Sequence, residues 1–151
     1  MTSDISTPLI VVGVDGSAGS REALQWAVAQ AELSGAAVQA VMAWNLPEAY
    51  AVVSRDYEAD ARHELQTAIE EALSPDQRSH VTSLVTPGQP GDVLVDASRH
   101  AQLLVVGSHG HGDLVGRLLG SVSEHCVYHA GCPVVVVRHS ASNPSDPVTE
   151  A

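Results

Sequence analysis

At 151 residues the chain is long enough for one domain with a real core and short for two. Its formal charge is −11 and all seven basic residues are arginine, which excludes a Schiff-base lysine and a Walker A phosphate loop and leaves no basic cluster for nonspecific nucleic-acid binding. No apolar run approaches the roughly 20 residues that span a bilayer. The opening MTSDISTPLIVVGVDGS has no basic region before its apolar run, so a cytoplasmic, non-membrane protein is expected.

The first element is PLIVVGV (Pro8–Val14), near-continuous apolar as a strand covered on both faces should be. From Ser20, the positions Ala23, Leu24, Ala27, Val28 and Ala31 follow helical spacing, with Gly35 as the stop. Ala36–Trp44 predicts a second strand. A helix from about Asp56 to Leu73 then presents Ala61, Leu65, Ala68, Ile69 and Ala72, and Pro75 is expected to end it. His80–Thr86 predicts a third strand, PGQPGD a turn, DVLVDASRH (Asp92–His100) a short helix, and Gln102–Gly107 a fourth strand. A glycine-rich loop leads to a helix starting near Val115 or Ser121 and ending at His129, and CPVVVVR supplies the fifth strand. Phe is absent and other large residues are few, so close packing of Ala and Val must hold these elements together.

Strands alternating with helices predict an α/β fold, a parallel sheet with helices on both faces. One domain is expected over residues 8–138, with residues 1–7 and the polar tail 139–151 as mobile ends. In doubly wound sheets, ligands bind beyond the carboxyl ends of the strands, where strand order reverses. Two loops suit that place: GVDGSAGS after strand one, and GSHGHGDLVGRLLGS (Gly107–Ser121) after strand four.

The second loop has two readings. It is a tight surface loop, or its glycines let the backbone wrap an anion at the start of the next helix, whose unpaired N–H groups attract phosphate without lysine. Ser121 would cap that helix with Glu124 completing a capping box, and Ser121 and Ser123 carry hydroxyls that can donate to phosphate. Asp15, ending strand one, either caps the following helix or accepts hydrogen bonds from a ribose or base, or holds a metal through a phosphate. Cys126 and Cys132 lack C-x-x-C spacing and read as packed thiols, with a redox pair as the alternative. His109 and His111 form H-x-H, and His125 and His129 lie at i, i+4, a spacing zinc sites use. The competing reading is a solvent face for the helix and a place near phosphate for His109.

Gly107-x2-Gly110-x9-Gly120-Ser121 is a G-x2-G-x9-G-[S/T] pattern. With the opening VVGVDGS, the turn Gly88-Gln89-Pro90, the VVGSHG stretch and the closing CPVVVVR, it resembles the nucleotide-binding branch of the universal stress proteins over nearly the whole chain. The resemblance implies a single-domain, doubly wound five-stranded parallel sheet in order 3-2-1-4-5. This is the Rossmann-like arrangement of the adenine nucleotide alpha hydrolase type, and the implied ligand is ATP, with or without Mg²⁺. It further implies that Asp15 contacts the ribose and adenosine side, that Gly13 lies under the base, and that Ala43 offers backbone to adenine. Val106 and Gly107 would line the pocket. Gly110, Gly120, Ser121, Val122 and Ser123 would surround the phosphates.

Two functional classes follow. One is a nucleotide-dependent regulatory or stress-response module that passes its state to an unidentified protein partner. The other is a slow ATPase or nucleotidyl-transfer enzyme at the same site. Phosphoryl transfer needs charge neutralisation and an oriented nucleophile. The loop offers Arg117 and histidines, and Asp113 is either a base or a turn residue, so binding is favoured and no catalytic residue or metal ligand is assigned. In the implied order the last strand is an edge, and Val134–Val137 exposed there is a pairing template. Pairing with the same strand of a second copy would make a homodimer; the alternative is that the tail folds over it.

Overall fold

The apolar run after Pro8 forms β1 (Leu9–Gly13), and Ile10, Val11 and Val12 at its centre are at most 1% exposed. The computed structural model describes residues 7–45, 56–110 and 119–139. The remaining elements are α1 (Ala18–Ser34), β2 (Ala37–Trp44), α2 (Tyr57–Ala72), α3 (Pro75–Arg78) and β3 (Val81–Pro87). They continue with α4 (Pro90–Ala97), β4 (Leu103–Gly107), α5 (Ser121–His129) and β5 (Val134–Val137). The expected helix start at Val115 lies outside the described residues, as do most of the two expected mobile ends. His139, counted with the tail, is tied down: its Nδ1 lies 2.8 Å from Glu22 Oε2 on α1.

All strand pairs are parallel and the sheet runs β3-β2-β1-β4-β5. The doubly wound order 3-2-1-4-5 is therefore what the chain adopts. β1 sits between β2, where Val12 faces Ala40, and β4, where Val12 faces Val105. α1 and α2 cover one face through Ala23, Leu24, Ala27, Leu65 and Ile69. α4 and α5 cover the other through Val93, Leu94 and Cys126. No Phe occurs and most of these side chains are small, so the core rests on many close Ala and Val contacts.

The second helix ends at its expected place, but a short helix after it and an earlier start of the next one differ from expectation, both because proline starts helices as readily as it stops them. α2 ends one turn before Pro75, with Leu73 as its last cap. Ser74 then begins α3 with Pro75 at its first position and a reciprocal capping box to Gln77. α4 likewise opens at Pro90, inside the stretch expected to be a turn, because the missing N–H of a first-position proline costs nothing there. Both shifts lengthen helix at the expense of loop, and the second brings α4 to the carboxyl end of the sheet.

Candidate functional site

Strand order reverses at β1: the chain leaves it toward β2 and later returns to its other side as β4. The loops after β1 and β4 therefore diverge from adjacent strand ends and leave a cleft between them, as the rule for such sheets requires. A cavity of about 220 Å³ occupies it. All ten residues singled out from the sequence line this cavity: Gly13, Asp15 and Ala43 from the β1 and β2 ends, Val106, Gly107 and Gly110 from the β4 end, and Gly120, Ser121, Val122 and Ser123 from the start of α5.

The lining also includes Val14, Ser20, Val41, Pro90, Leu94 and His109. His109 was read from the sequence as a phosphate neighbour. Pro90 enters the sequence reading only through the turn Gly88-Gln89-Pro90, and Leu94 only through a helix expected from Asp92; neither is expected at the site, because α4 opens two residues earlier, at Pro90. Their signal lay in Gly13: a β-carbon there would come within 2.7 Å of Leu94 Cδ1, so the bare strand end makes room for Leu94.

The β1 loop is closed by side-chain hydrogen bonds. Gly16 turns the chain at φ 84°, a left-handed conformation that glycine adopts without strain. Ser17, not Asp15, caps α1: its Oγ accepts from Ser20 N–H at 3.2 Å. Asp15 instead bends back, its Oδ1 accepting from Ser17 N–H at 2.9 Å and Ser17 Oγ at 2.5 Å. The capping role that sequence alone allowed for Asp15 thus belongs to Ser17. Its carboxylate is left exposed on the cavity wall.

The β4 side is closed differently. Gly120, extended at φ −76° and ψ 170°, is the N-cap of α5, and no side chain caps the helix. Ser121 is therefore the first helical residue and the Ser121–Glu124 capping box does not form. A glycine cap leaves the first-turn N–H groups without the side-chain acceptor that a Ser or Asp cap supplies. Ser123 is buried, and its hydroxyl lies 3.0 Å from both the Ser108 and Gly120 carbonyls, its one proton shared between them. Gly120 N–H reaches Ser108 O at 2.7 Å. These bonds staple the two ends of the glycine loop together, so the Ser123 hydroxyl, read from sequence as a phosphate donor, is engaged with backbone. Ser121 is exposed at the helix start.

The two loops meet through backbone. A β-carbon at Gly107 would lie 3.0 Å from the carbonyl carbon and oxygen of Gly19, and one at Gly19 would lie 2.9 Å from His109 O. A β-carbon at Gly110 would strike Asp15 Oδ2. Among the described lining residues, Asp15 and His109 alone carry ionisable side chains. Among the described lining residues, an anion in this cleft would meet helix N–H groups and no lysine or arginine.

Beyond the cleft, His125 Nε2 sits 3.1 Å from Asp92 Oδ1 on α4, and the rings of His125 and His129 are 4.5 Å apart. Among the described residues no three His, Cys, Asp or Glu side chains gather as metal ligands would. Burial, with the charge of Cys132 as a smaller contribution, pushes the Cys126 thiol up to about 11. His111, Asp113 and Arg117 lie outside the described residues. Among the described residues no helix is long and apolar enough to cross a membrane.

The family model for the universal stress protein family matches residues 8–138. A universal stress protein of Mycobacterium tuberculosis is 38% identical over 135 residues, covering 87% of this chain and 45% of that protein. The chain spans about half the length of the curated relatives it matches. Among solved structures, the universal stress protein UspA from Lactobacillus plantarum superposes with a TM-score of 0.74 at 22% identity, covering 89% of this chain and all of that one. A universal stress protein in complex with cAMP superposes with a TM-score of 0.68 at 27% identity, covering 88% of this chain and 98% of that one. On a family match that runs from β1 through β5, this chain belongs to the universal stress protein family.

Proposed function

We propose that the chain is an adenine-nucleotide-binding regulatory module, with ATP as its ligand, and that the cleft between the β1 and β4 loops is the site. The observation that carries this is convergence: residues far apart in sequence, from Gly13 to Ser123, line one cavity at the reversal of strand order. The residues present suit the ligand. Gly13, Val41, Ala43 and Leu94 offer an apolar bed for a base, and Asp15 offers a carboxylate to sugar hydroxyls. The uncapped start of α5, with the exposed Ser121, offers donors to phosphate. The solved relative at 27% identity holds cAMP, which favours the adenine part of the reading.

Binding is preferred over slow ATP hydrolysis or nucleotidyl transfer. The described lining holds no Lys or Arg to neutralise a transferring phosphoryl group. Mg²⁺ would be held chiefly by the nucleotide phosphates and water, with Asp15 the carboxylate within the cavity wall. A cytoplasmic address belongs to the same proposal, as does a homodimer formed through β5.

The test is calorimetric titration of ATP, with and without Mg²⁺, into protein first stripped of nucleotide, with any released nucleotide identified. Saturable binding that is lost in a folded Gly110→Ala, Gly120→Ala variant supports the site. No binding at millimolar ATP and no co-purified nucleotide overturns it. A phosphate-release assay on the same samples separates the module from the enzyme.

A further inference from the structure

We propose that Ser17 and Ser20 are positioning residues that aim the Asp15 carboxylate at the sugar hydroxyls of the bound nucleotide, making the site selective for ribose. The inference rests on the nucleotide reading above and adds to it a chemical discrimination and the residues that enforce it.

The argument begins with what a helix start needs. To cap α1, Ser17 Oγ has only to accept from Ser20 N–H, and it does so at 3.2 Å. The remaining bonds at this turn go elsewhere. Ser17 spends its one hydroxyl proton on Asp15 Oδ1 at 2.5 Å and adds its backbone N–H to the same oxygen at 2.9 Å. Ser20 Oγ accepts from Asp15 N–H at 3.2 Å and donates its own proton to Ser17 O at 3.0 Å. The five bonds form a closed ring in which each hydroxyl donates once and accepts once, and both serines converge on Asp15.

The ring is anchored. Ser20 is 5% exposed and sits on the face of α1 that carries Ala23 and Leu24 into the core, both fully buried. Asp15 itself is exposed, and an exposed carboxylate not held in this way would sample several rotamers. With Oδ1 held by Ser17, Oδ2 lies over Gly110 on the opposite loop, at a place where a β-carbon would meet it. The carboxylate thus bridges the gap between the two loops that form the cleft. A ring of this kind lowers the ordering cost of the binding step, and a carboxylate held ready for a sugar hydroxyl favours the sugar that carries it.

The experiment titrates ATP and 2′,3′-dideoxy-ATP into the wild-type chain and into Ser20→Ala and Ser17→Gly. Glycine still serves as an N-cap at a cost of only a few tenths of a kcal/mol, so Ser17→Gly carries the test if Ser20→Ala fails to fold. The wild type should prefer ATP by about tenfold, the scale of one charge-assisted hydrogen bond. Ser17→Gly should weaken ATP by roughly five- to tenfold while leaving the dideoxy nucleotide within about twofold, so that the preference collapses, and Ser20→Ala, at a residue that lines the cavity, should narrow the preference in the same direction. Restoration of the preference by Ser20→Thr, which keeps the hydroxyl, would add support. Equal weakening of both nucleotides would make the ring merely structural and overturn the proposal. Unchanged discrimination in folded variants, or a wild type that binds both nucleotides alike, would overturn it while leaving the nucleotide site standing. A wild type that binds neither would remove the nucleotide reading, and this inference with it.

Discussion

Gly107 at the end of β4 packs directly on the backbone of Gly19 in the first turn of α1, so that a β-carbon on Gly107 would lie 3.0 Å from the Gly19 carbonyl. Neither partner is a side chain that can rotate away. Relief would require moving a strand end against a helix start, and both border the cleft. Gly107→Ala is therefore expected to cost about 1–3 kcal/mol, the usual scale for overpacking. Urea unfolding checks the magnitude, and a loss below about 0.5 kcal/mol would mean that the two elements separate easily.

Gly110→Ala should behave differently. Its new methyl meets the Asp15 carboxylate, an exposed side chain that can swing aside. With the proposed nucleotide site, the expected result is a melting temperature near that of the parent and ATP affinity reduced about tenfold, the scale of one charge-assisted contact. Comparing Tm and titration on the same sample tests this, and a large fall in Tm would count against it.

Cys126 gives a pH prediction. The folded state raises its thiol from about 9 to about 11, so the folded chain holds this proton more tightly than the unfolded one. Stability from this group is complete below about pH 9 and is lost as pH rises from there through about 11. Denaturant midpoints of the parent should fall over that window more steeply than those of Cys126→Ala. At pH 8, iodoacetamide should label the half-buried Cys132 and spare Cys126 until the protein unfolds. Early labelling of Cys126 would contradict its burial.

Trp44 carries the one buried side-chain nitrogen among the described residues that has no hydrogen-bond partner. A buried donor left unsatisfied costs about 1–3 kcal/mol. Trp44→Phe removes that donor while keeping an aromatic ring against the α2 face, so the two effects should offset to within about 1 kcal/mol. Chemical denaturation decides, and a loss of about 3 kcal/mol or more would show that the indole N–H has a partner in solution.

Val134–Val137 forms the edge of the sheet, half-buried, with its outer hydrogen-bonding side unpaired by any other strand of the described sheet. The proposed homodimer uses that side. Val136→Asp should shift a concentration-dependent dimer toward monomer in sedimentation velocity, by desolvating a charge in the pairing strand. Identical masses for the parent and the variant would sink the idea.

Much of this protein was legible in its residues, and the reason is periodicity. The near-continuous apolar strands and the helical spacing of Ala23 to Ala31 are local signals, so element order and the α/β class follow from them. The glycine spacing from Gly107 to Gly120 marked the cleft for the same reason, since backbone that must approach a ligand or another chain closely cannot carry side chains. Prolines misled where their local meaning is double: Pro75 and Pro90 open helices here, and only the packing of α4 on the sheet brings Leu94 under Gly13.

Hydrogen-bond partners were decided by tertiary structure alone. Nothing in the order Asp15, Ser17, Ser20 says which oxygen caps α1, and nothing in Ser121, Ser123 and Glu124 says that the loop will be stapled through the Ser108 carbonyl. Those choices depend on where β4 ends relative to α1 and α5, a distance set by the sheet register joining residues about ninety positions apart. Short-range pattern determines what each segment becomes. Which hydroxyl holds the loop and which faces the cleft is settled only when distant segments compete for the same few donors and acceptors.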